Sequence, residues 1–286
     1  MIEVSKAKGS YIYDNDNKKY LDFVAGVSAC SVGHCNEKVI EAIKNQSEKY
    51  MHVMVYGEFV TKPSLDLAKL LAKNLPKNLN CTYFTNSGTE ALEGSMKLAR
   101  RYTGRSKIIA AKNAYHGSTM GALTLMGLEE RKKPFEPLIP EVDFIDFNSF
   151  KDLDRIDDNT SCVILETIQG SAGFIVPKNG YLIEIKKRCE EVGALLILDE
   201  IQTGIGRTGK LFGFENFDCI PDIIVYGKGL GGGIPIGAFT CSKKLMDTLH
   251  INPILGHITT FGGNPVITAA ALQTLKIVLG IENFDE

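Results

Sequence analysis

Several polar or charged segments of this 286-residue sequence follow apolar runs, and their residue types could do chemistry together. Ligands of open α/β sheets bind at the carboxyl ends of the strands, so residues directly after a predicted strand are the first candidates. Ser87, Gly88 and Thr89 follow one such run and open a predicted helix. Free backbone N–H groups and two hydroxyls at a helix start can form an anion site. The same segment also fits an ordinary helix start, with Ser87 as the N-cap and Glu90 completing a capping box.

Asp199 and Lys228 are the two ionisable residues whose positions most strongly indicate a reaction. Asp199 ends the apolar run 194–198. A carboxylate at that place could bind a metal, act as a base, pair with a cationic ring nitrogen or cap the next segment. Lys228 follows the apolar run 223–226 and lies between two glycines. An amine there suits covalent catalysis through a Schiff base, although most single lysines are only solvated.

Together these parts match what one cofactor, pyridoxal phosphate, requires. It needs an anion site, a lysine, an aromatic residue for its ring face and a carboxylate that keeps its ring nitrogen protonated. The residues 204–210 also match two nucleotide-binding patterns nominally. However, Leu211 stands where the Walker pattern needs Ser or Thr, and no helix is predicted to follow. The sequence therefore predicts a pyridoxal phosphate site, without a nucleotide loop and without a metal.

Composition and charge are those of an ordinary globular chain. Hydrophobic residues make up 44% and charged residues 23%, and the net charge is −2. This balance argues against a nucleic-acid binder with a general basic surface. No apolar run approaches the ~20 residues of a membrane span, and the first residues lack the apolar stretch of a signal peptide. The seven cysteines form no C-x-x-C pattern, so we expect reduced thiols in a cytoplasmic protein with no nucleic-acid or membrane partner.

Short apolar runs alternate with amphipathic stretches, the pattern of an α/β fold in which helices cover both faces of a mostly parallel sheet. The predicted strands are Cys81–Thr85, Lys107–Ala111, Val142–Asp146, Cys162–Glu166, Ala194–Asp199, Asp222–Tyr226 and Ile236–Cys241. The predicted helices are Asn36–Tyr50, Pro63–Asn74, Gly88–Tyr102, Gly180–Val192 and Pro265–Leu279. A polar turn between two apolar runs in residues 10–24 predicts a β-hairpin ahead of the sheet.

The motifs of this sequence resemble those of the class III (subgroup II) aminotransferases. That family includes acetylornithine, ornithine, 4-aminobutyrate and ω-amino-acid aminotransferases. The resemblance covers essentially the whole chain and rests on NSGTEA at 86–91, AYHG at 114–117, ILDEIQTGIGRTG at 197–209, GKGLGGGIPIGA at 227–238 and TTFGGNP at 259–265. It implies the large domain of a fold-type I pyridoxal phosphate transferase, with a mostly parallel seven-stranded sheet between helices.

The resemblance also implies a role for each matching residue. Lys228 is then the Schiff-base lysine, and Asp199 pairs with the ring nitrogen. Gln202 bonds the 3-oxygen side of the ring, and Tyr115 stacks on the ring. The other cofactor-binding residues that it implies are Ser87, Gly88, Thr89 and His116, with Thr260 completing the phosphate site from the second subunit of an obligate homodimer. The residues that it implies on the substrate side are Glu166, Ser118 and Thr259.

Two positions depart from the pattern of family members that use 2-oxoglutarate. Many of those members have an arginine, which meets a substrate carboxylate, where this sequence has Ser118. Many also have a glutamate, which gates an arginine, where this sequence has Ser171. The serine-containing loop is more similar to that of some ω-amine enzymes that use pyruvate.

We predict an N-terminal segment at 1–50, a hairpin and helix belonging to a small domain or dimer arm, and a cofactor-binding large domain at 51–286. Family members continue further, so a C-terminal small domain is expected to be absent from this chain. The predicted function is ping-pong transamination from the terminal amine of acetylornithine, ornithine or a similar amino acid to a 2-oxo acid. The alternatives are an ω-amino acid or amine–pyruvate aminotransferase and a cofactor-binding remnant without turnover.

Overall fold

The computed structural model describes residues 1–54, 57–251 and 253–281. Its strands are β1 (Val4–Lys8), β2 (Tyr11–Asp14), β3 (Lys19–Leu21), β4 (Cys81–Thr85), β5 (Lys107–Ala111), β6 (Val142–Ile145), β7 (Thr160–Glu166), β8 (Leu195–Asp199), β9 (Ile223–Gly227) and β10 (Gly237–Cys241). Its helices are α1 (Ala25–Ser28), α2 (Glu37–Ser47), α3 (Lys62–Lys73), α4 (Gly88–Thr103), α5 (Met120–Thr124), α6 (Glu129–Lys132), α7 (Tyr181–Val192), α8 (Lys243–Met246) and α9 (Pro265–Leu279). Short 3-10 turns lie at Lys133–Phe135, Phe150–Arg155, Gly213–Asn216, Lys228–Gly231 and Asp247–Leu249.

Seven of the strands form one sheet in the order β4-β10-β9-β8-β7-β5-β6. Strand β10 is antiparallel to both of its neighbours, and the other adjacent pairs are parallel. The predicted mostly parallel seven-stranded sheet is therefore confirmed. Because β7, β8 and β9 are adjacent and parallel, their carboxyl ends meet at one edge of the sheet. That edge carries the predicted site residues Glu166, Asp199 and Lys228.

The apolar runs that predicted the central strands become the core of the molecule. Every residue of β7, β8, β9 and β10 is buried, as expected for strands covered by helices on both faces. Two clusters of buried side chains fill the two faces of the sheet. Helix α9 packs against α2 and α3 on one face. Among the helices that the structure describes, none combines the length and the hydrophobicity that a membrane span requires.

A second, three-stranded antiparallel sheet is formed by β1, β2 and β3. The hairpin predicted at 10–24 is confirmed as β2 and β3, and the Asp14 side chain closes its turn by accepting the backbone N–H groups of Asp16 and Lys18 at 3.0 and 2.9 Å. Strand β1 was not predicted, because its sequence is mostly polar and exposed. The domain boundary between 1–50 and 51–286 stays a prediction.

Gly237 allows the start of α4 to approach the sheet closely. A Cβ atom on Gly237 would lie 1.9 Å from the carbonyl oxygen of Ser87. Any side chain at Gly237 would push the Ser87 turn away from β10. The close approach places the N-terminus of α4 beside the carboxyl end of β9, where Lys228 begins.

Candidate active site

A cleft of about 480 Å³ opens at the carboxyl ends of β7, β8 and β9. Its volume lies within the range of roughly 300–1,000 Å³ that is typical of small-molecule sites. The structure brings most of the sequence-predicted site residues together on its walls. Those that line it are Gly88, Thr89, Tyr115, His116, Ser118, Glu166, Asp199, Gln202 and Lys228.

Lys228 is the first residue after β9 and is half-buried in the cleft. Its φ of +36° turns the chain sharply out of the strand. A Cβ on Gly229 would lie 2.4 Å from Ser31 Oγ, so a side chain there would require the Ser31 hydroxyl to move. Across the described part of the chain, no residue forms a hydrogen bond or an ion pair with the Lys228 amine. An amine that no described residue binds directly, set just after a buried strand, is suited to act as a nucleophile.

Asp199 and His116 form a buried pair at the floor of the cleft. Asp199 ends β8, is only 5% exposed, and accepts hydrogen bonds from the His116 ring at 2.8 Å and from the Ile201 N–H at 2.9 Å. Burial alone would lower the pKa of His116, but the hydrogen bond to Asp199 and the charges of Asp199 and Glu166 outweigh it and raise that pKa. Strong hydrogen bonding thus keeps the Asp199 carboxylate fixed and able to pair with a cation inside the cleft.

Glu166, at the end of β7, joins two walls of the cleft. Its carboxylate accepts the backbone N–H of Tyr115 at 2.7 Å and that of Gly170. Burial raises the pKa of this carboxyl, and the neighbouring His116 opposes the shift. The two hydrogen bonds engage both carboxylate oxygens of Glu166 with the protein backbone. The direct contact with substrate that the resemblance implies for Glu166 stays a prediction.

Tyr115, Ser118 and Gln202 lie around the upper part of the cleft. The Tyr115 hydroxyl lies 3.3 Å from that of Ser118, and the ring is partly exposed. Gln202 donates from its side-chain amide to Ser28 Oγ at 3.4 Å. Gly170 makes room for Gln202, because a Cβ at Gly170 would lie 2.5 Å from the Gln202 side-chain oxygen.

The 87–89 turn is an N-cap as well as a candidate anion site. Ser87 Oγ accepts the Glu90 N–H at 3.3 Å, and Glu90 accepts the Asn86 N–H at 2.6 Å. Ser87 is therefore the predicted N-cap, but the predicted capping box is not formed, because Glu90 bonds the N–H of Asn86 and not that of Ser87. The N-cap does not exclude an anion site, since α4 is 16 residues long and presents its N-terminus to the cleft through Gly88 and Thr89.

Thr259 and Thr260 are not brought into this cleft. Thr259 accepts a hydrogen bond from the Asn86 side chain at 2.9 Å and lines a second cavity of about 590 Å³. Neither threonine lines the cleft that contains Lys228. The role that the resemblance implies for Thr260 involves a second subunit, and it stays a prediction.

Sequence reasoning missed Val27 and Ile201 on the walls of the cleft. Val27 belongs to α1, a single turn in which all four residues have φ between 50° and 68°. Side-chain periodicity cannot reveal a left-handed turn that contains a β-branched residue. The sequence did contain a clue for Ile201, because this residue lies between Asp199 and Gln202, two predicted site residues. In the structure its side chain would clash with any Cβ on Gly88.

Glu200 is a further residue that the sequence did not single out. It is fully buried directly behind Asp199 and accepts four hydrogen bonds, from Thr167, Thr203, Gly213 and Phe214. Burial raises its pKa, and the four donors oppose the shift. The bonds hold the loop that includes residues 204–210 against the end of β8. Between β8 and β9 the described residues contain only a 3-10 turn and no α-helix.

We expect Glu200→Ala to lower the free energy of unfolding by about 3 kcal/mol or more, because four buried donors lose their acceptor. Glu200→Gln should cost less, since one amide oxygen still accepts. Urea unfolding followed by circular dichroism measures both. Glu130→Gln, on an exposed glutamate, is the matched control, and a loss for Glu200→Ala no larger than the control's would refute this role.

Comparison with known proteins identifies the family. The family model described as Aminotransferase class-III matches residues 1–286. The chain belongs to the class III aminotransferases. It is thus an enzyme, a transaminase of a family that depends on pyridoxal phosphate, and the resemblance found in its motifs is confirmed.

Class III relatives cover this chain almost completely. The acetylornithine aminotransferase of Methanopyrus kandleri is 41% identical over 286 residues, which are 100% of this chain and 72% of that protein. The crystal structure of ornithine aminotransferase from Toxoplasma gondii superposes with a TM-score of 0.91 at 33% identity, over 97% of this chain and 67% of that one. Taurine:2-oxoglutarate aminotransferase from Bifidobacterium kashiwanohense, solved with pyridoxal phosphate and glutamate, gives 0.90 at 29% identity, over 98% and 68%.

The cleft of this class III chain fits the family's cofactor. It combines the Lys228 amine, a buried carboxylate paired with an imidazole, an exposed aromatic ring and a helix N-terminus. These are the donor set that a cationic heteroaromatic ring with an aldehyde and a phosphate requires. Glycines at 88, 117 and 170 leave space where a Cβ would meet neighbouring side chains.

Proposed function

We propose that this protein moves the terminal amino group of acetylornithine, ornithine or a similar amino acid to a 2-oxo acid in two alternating half-reactions. The observation that carries the proposal is the Lys228 amine, which shares one cleft with the buried Asp199–His116 pair. The donor class is supported by the relatives, which include an acetylornithine and an ornithine aminotransferase.

In this proposal each wall of the cleft holds one part of pyridoxal phosphate. Lys228 binds the aldehyde carbon, Asp199 the ring nitrogen and Gln202 the 3-oxygen side. Tyr115 covers the ring face, and the N-terminus of α4 at residues 87–89 binds the phosphate. When bound, the cofactor supplies an electron sink for the substrate carbon that loses a proton.

Lys228 then performs the proton transfers. With a substrate amine in the cleft, its Nζ would be a free base, placed to take the proton from the substrate's amine-bearing carbon and to hold it for return. The His116 ring N–H, which is directed at Asp199, holds that carboxylate in place beside the cleft.

The half-reaction with donor alone tests this function. Protein loaded with pyridoxal phosphate and given ornithine or acetylornithine, without any oxo acid, should release about one equivalent of the matching semialdehyde per active site. Release is measured by trapping the aldehyde. Binding of the cofactor without any semialdehyde would refute the proposal and support a binder without turnover.

The acceptor side of the cleft favours a small oxo acid. Ser118 and Ser171 line it where many 2-oxoglutarate enzymes have an arginine and a glutamate. Ser171 donates to the Asn113 carbonyl at 3.0 Å. Among the described residues, no arginine lines the cleft, and Arg131 lies on α6 outside it. These observations support the pyruvate-dependent reaction as the second candidate.

We expect pyruvate to be accepted at least about as well as 2-oxoglutarate, and Ser118→Arg to shift the preference towards the dicarboxylate. A planar guanidinium can bind the second carboxylate through two bonds, which a serine hydroxyl cannot do. The shift in the ratio of kcat/KM values should be on the order of a hundredfold. Steady-state assays with both acceptors measure it. A strong wild-type preference for 2-oxoglutarate that Ser118→Arg leaves unchanged would show that the carboxylate binds elsewhere.

We also propose a homodimer. Around the second cavity the chain exposes large apolar side chains, among them Val60 (77%) and Ile254 (79%). An apolar surface of this kind is typical of a protein–protein interface. Thr259 lies on the same surface, next to Thr260 in the sequence. A second copy covering this surface would bring Thr260 near a partner's cofactor, as the resemblance implies.

We expect the wild type to sediment as a dimer. The double variant Ile254→Arg, Val60→Arg should be a monomer, because two buried charges without partners oppose association. Its cofactor binding should be at least about tenfold weaker than that of the wild type. Analytical ultracentrifugation and a cofactor titration measure the two effects. Ile220→Arg, at an exposed apolar residue outside this surface, is the control. A double variant that remains dimeric would refute the interface.

A further inference from the structure

The wall of the cleft that carries Tyr115 makes very few backbone hydrogen bonds. It belongs to the connection 112–119 between β5 and α5. In the part of the chain that the structure describes, the backbone of residues 115–118 takes part in one hydrogen bond, from the Tyr115 N–H to Glu166 Oε1 at 2.7 Å. The place of this wall therefore depends on a carboxylate at the end of another element, strand β7.

The side chain of Tyr115 adds little to hold this wall. Its ring is 40% exposed, and its hydroxyl lies 3.3 Å from that of Ser118, a residue of the same connection. Within residues 1–54, 57–251 and 253–281, no aromatic ring stacks on it and no cation lies over its face. The direction of the ring is therefore set by the backbone that Glu166 holds.

Glu166 is well suited to hold a backbone in place. It is only 8% exposed, and its second oxygen accepts the Gly170 N–H. Each carboxylate oxygen thus accepts one backbone N–H. Glu166 cannot reorient without breaking a hydrogen bond that its negative charge strengthens.

The connections that follow β5 and β7 are tied together at two further points. The Gln169 side-chain amide donates to the Lys112 carbonyl at 2.6 Å. The Ser171 hydroxyl donates to the Asn113 carbonyl at 3.0 Å. The two connections therefore form one hydrogen-bonded unit, and Glu166 supplies its bond nearest to the ring of Tyr115.

We infer that Glu166 is a positioning residue, which holds the Tyr115 ring over the cofactor by binding the Tyr115 N–H and does not act by binding the substrate. This inference rests on the proposed function and adds the residue that sets the place of the ring. Gly170 supplies the second anchor of the carboxylate. A ring that is already held in place loses less conformational freedom when the cofactor binds.

Amide hydrogen exchange, resolved by residue with NMR on the cofactor-free protein, tests the hold on the backbone. Glu166→Leu should speed exchange at both Tyr115 and Gly170 by at least about tenfold, because both N–H groups lose their acceptor. Glu166→Gln should speed it at one of the two only, since an amide offers one oxygen and one NH2 group. Glu130→Gln, at an exposed glutamate, is the control and should change neither amide.

A double-mutant cycle on the affinity for pyridoxal phosphate tests whether Glu166 acts through the ring. Glu166→Leu should weaken binding about fivefold or more, as expected for a misplaced aromatic contact. In a Tyr115→Ala protein the same substitution should weaken it less than about twofold, because the ring is already absent. Absorbance titration of the cofactor measures all four dissociation constants.

A residue that binds the substrate would behave differently in this cycle. Its loss would raise the KM for ornithine and leave the affinity for pyridoxal phosphate unchanged in both backgrounds, and that result would overturn the inference. A loss of affinity that persists in full in the Tyr115→Ala protein would overturn it as well. If Glu166→Leu does not fold, Glu166→Gln decides, and unchanged exchange at both amides would refute the positioning role.

The exchange experiment needs no cofactor, so this inference and the proposed function fail separately. A wild type that binds no pyridoxal phosphate would count against the proposed function. Exchange at Tyr115 that is as slow in Glu166→Leu as in the wild type would overturn the positioning role, whatever the protein binds.

Discussion

Replacing Lys228 with alanine is expected to slow the half-reaction with an amino donor by about 10⁴-fold or more. The amine is both the proposed attachment point of the cofactor and the only proposed proton carrier, and a positioned acid–base group by itself contributes about 10²–10⁴-fold. Stopped-flow absorbance at saturating donor measures the rate. Added methylamine should restore a small part of it, because a free amine can replace the missing base.

Lys210→Ala and Lys243→Ala are the controls for this prediction, since neither lysine lines the cleft. Both controls should react at rates close to that of the wild type. A Lys228→Ala protein with near wild-type rates, or a comparable loss in either control, would show that Lys228 is not the reacting amine.

Asp199→Asn is expected to keep the fold and to slow the same half-reaction by about 10³-fold or more. An amide cannot hold a proton on the ring nitrogen of the cofactor, so the electron sink is lost. The pKa of His116 should also fall, because the hydrogen bond and the charge that raise it come from Asp199 and would no longer offset burial. Stopped-flow rates and histidine NMR titrations measure the two effects.

The control for this substitution is Asp218→Asn, at an exposed aspartate with positive φ, where asparagine is equally tolerated. Its half-reaction rate should match that of the wild type. If Asp199→Asn reacted with donor at the parental rate, Asp199 would not be the partner of the ring nitrogen.

The central sheet could be predicted because its strands are continuous apolar runs that must be buried on both faces. The strands around Leu196, Ile224 and Phe239 lie within about one residue of their predicted bounds. Strand β7 begins two residues earlier than predicted, at Thr160, because two buried polar residues, Thr160 and Ser161, precede its apolar run. Apolar patterning therefore locates an element better than it locates its ends.

The helices show the same behaviour at their ends. The helix predicted over Asn36–Tyr50 extends over Glu37–Ser47, with Asn36 as its N-cap through a bond to the Lys38 N–H. Helix α5 was not predicted, because its cap is Glu93 from another element. A cap supplied from elsewhere in the chain leaves no local pattern to find.

For the site, the sequence predicted the identity of the residues better than their hydrogen-bond partners. Asp199 and Lys228 were found because Asp199 ends a buried strand and Lys228 directly follows another. The pairing of His116 with Asp199 joins residues 83 apart, and no local pattern indicates it. A motif match also does not show which cavity a residue lines. Thr259 lines the second cavity and not the cleft that contains Lys228.

Reductive labelling tests the central claim most directly. Protein incubated with pyridoxal phosphate, treated with borohydride, digested and analysed by mass spectrometry should carry one pyridoxyl group per chain, on Lys228. A label on Lys210 or Lys243, or labelling spread over several lysines without preference, would contradict the account of this active site.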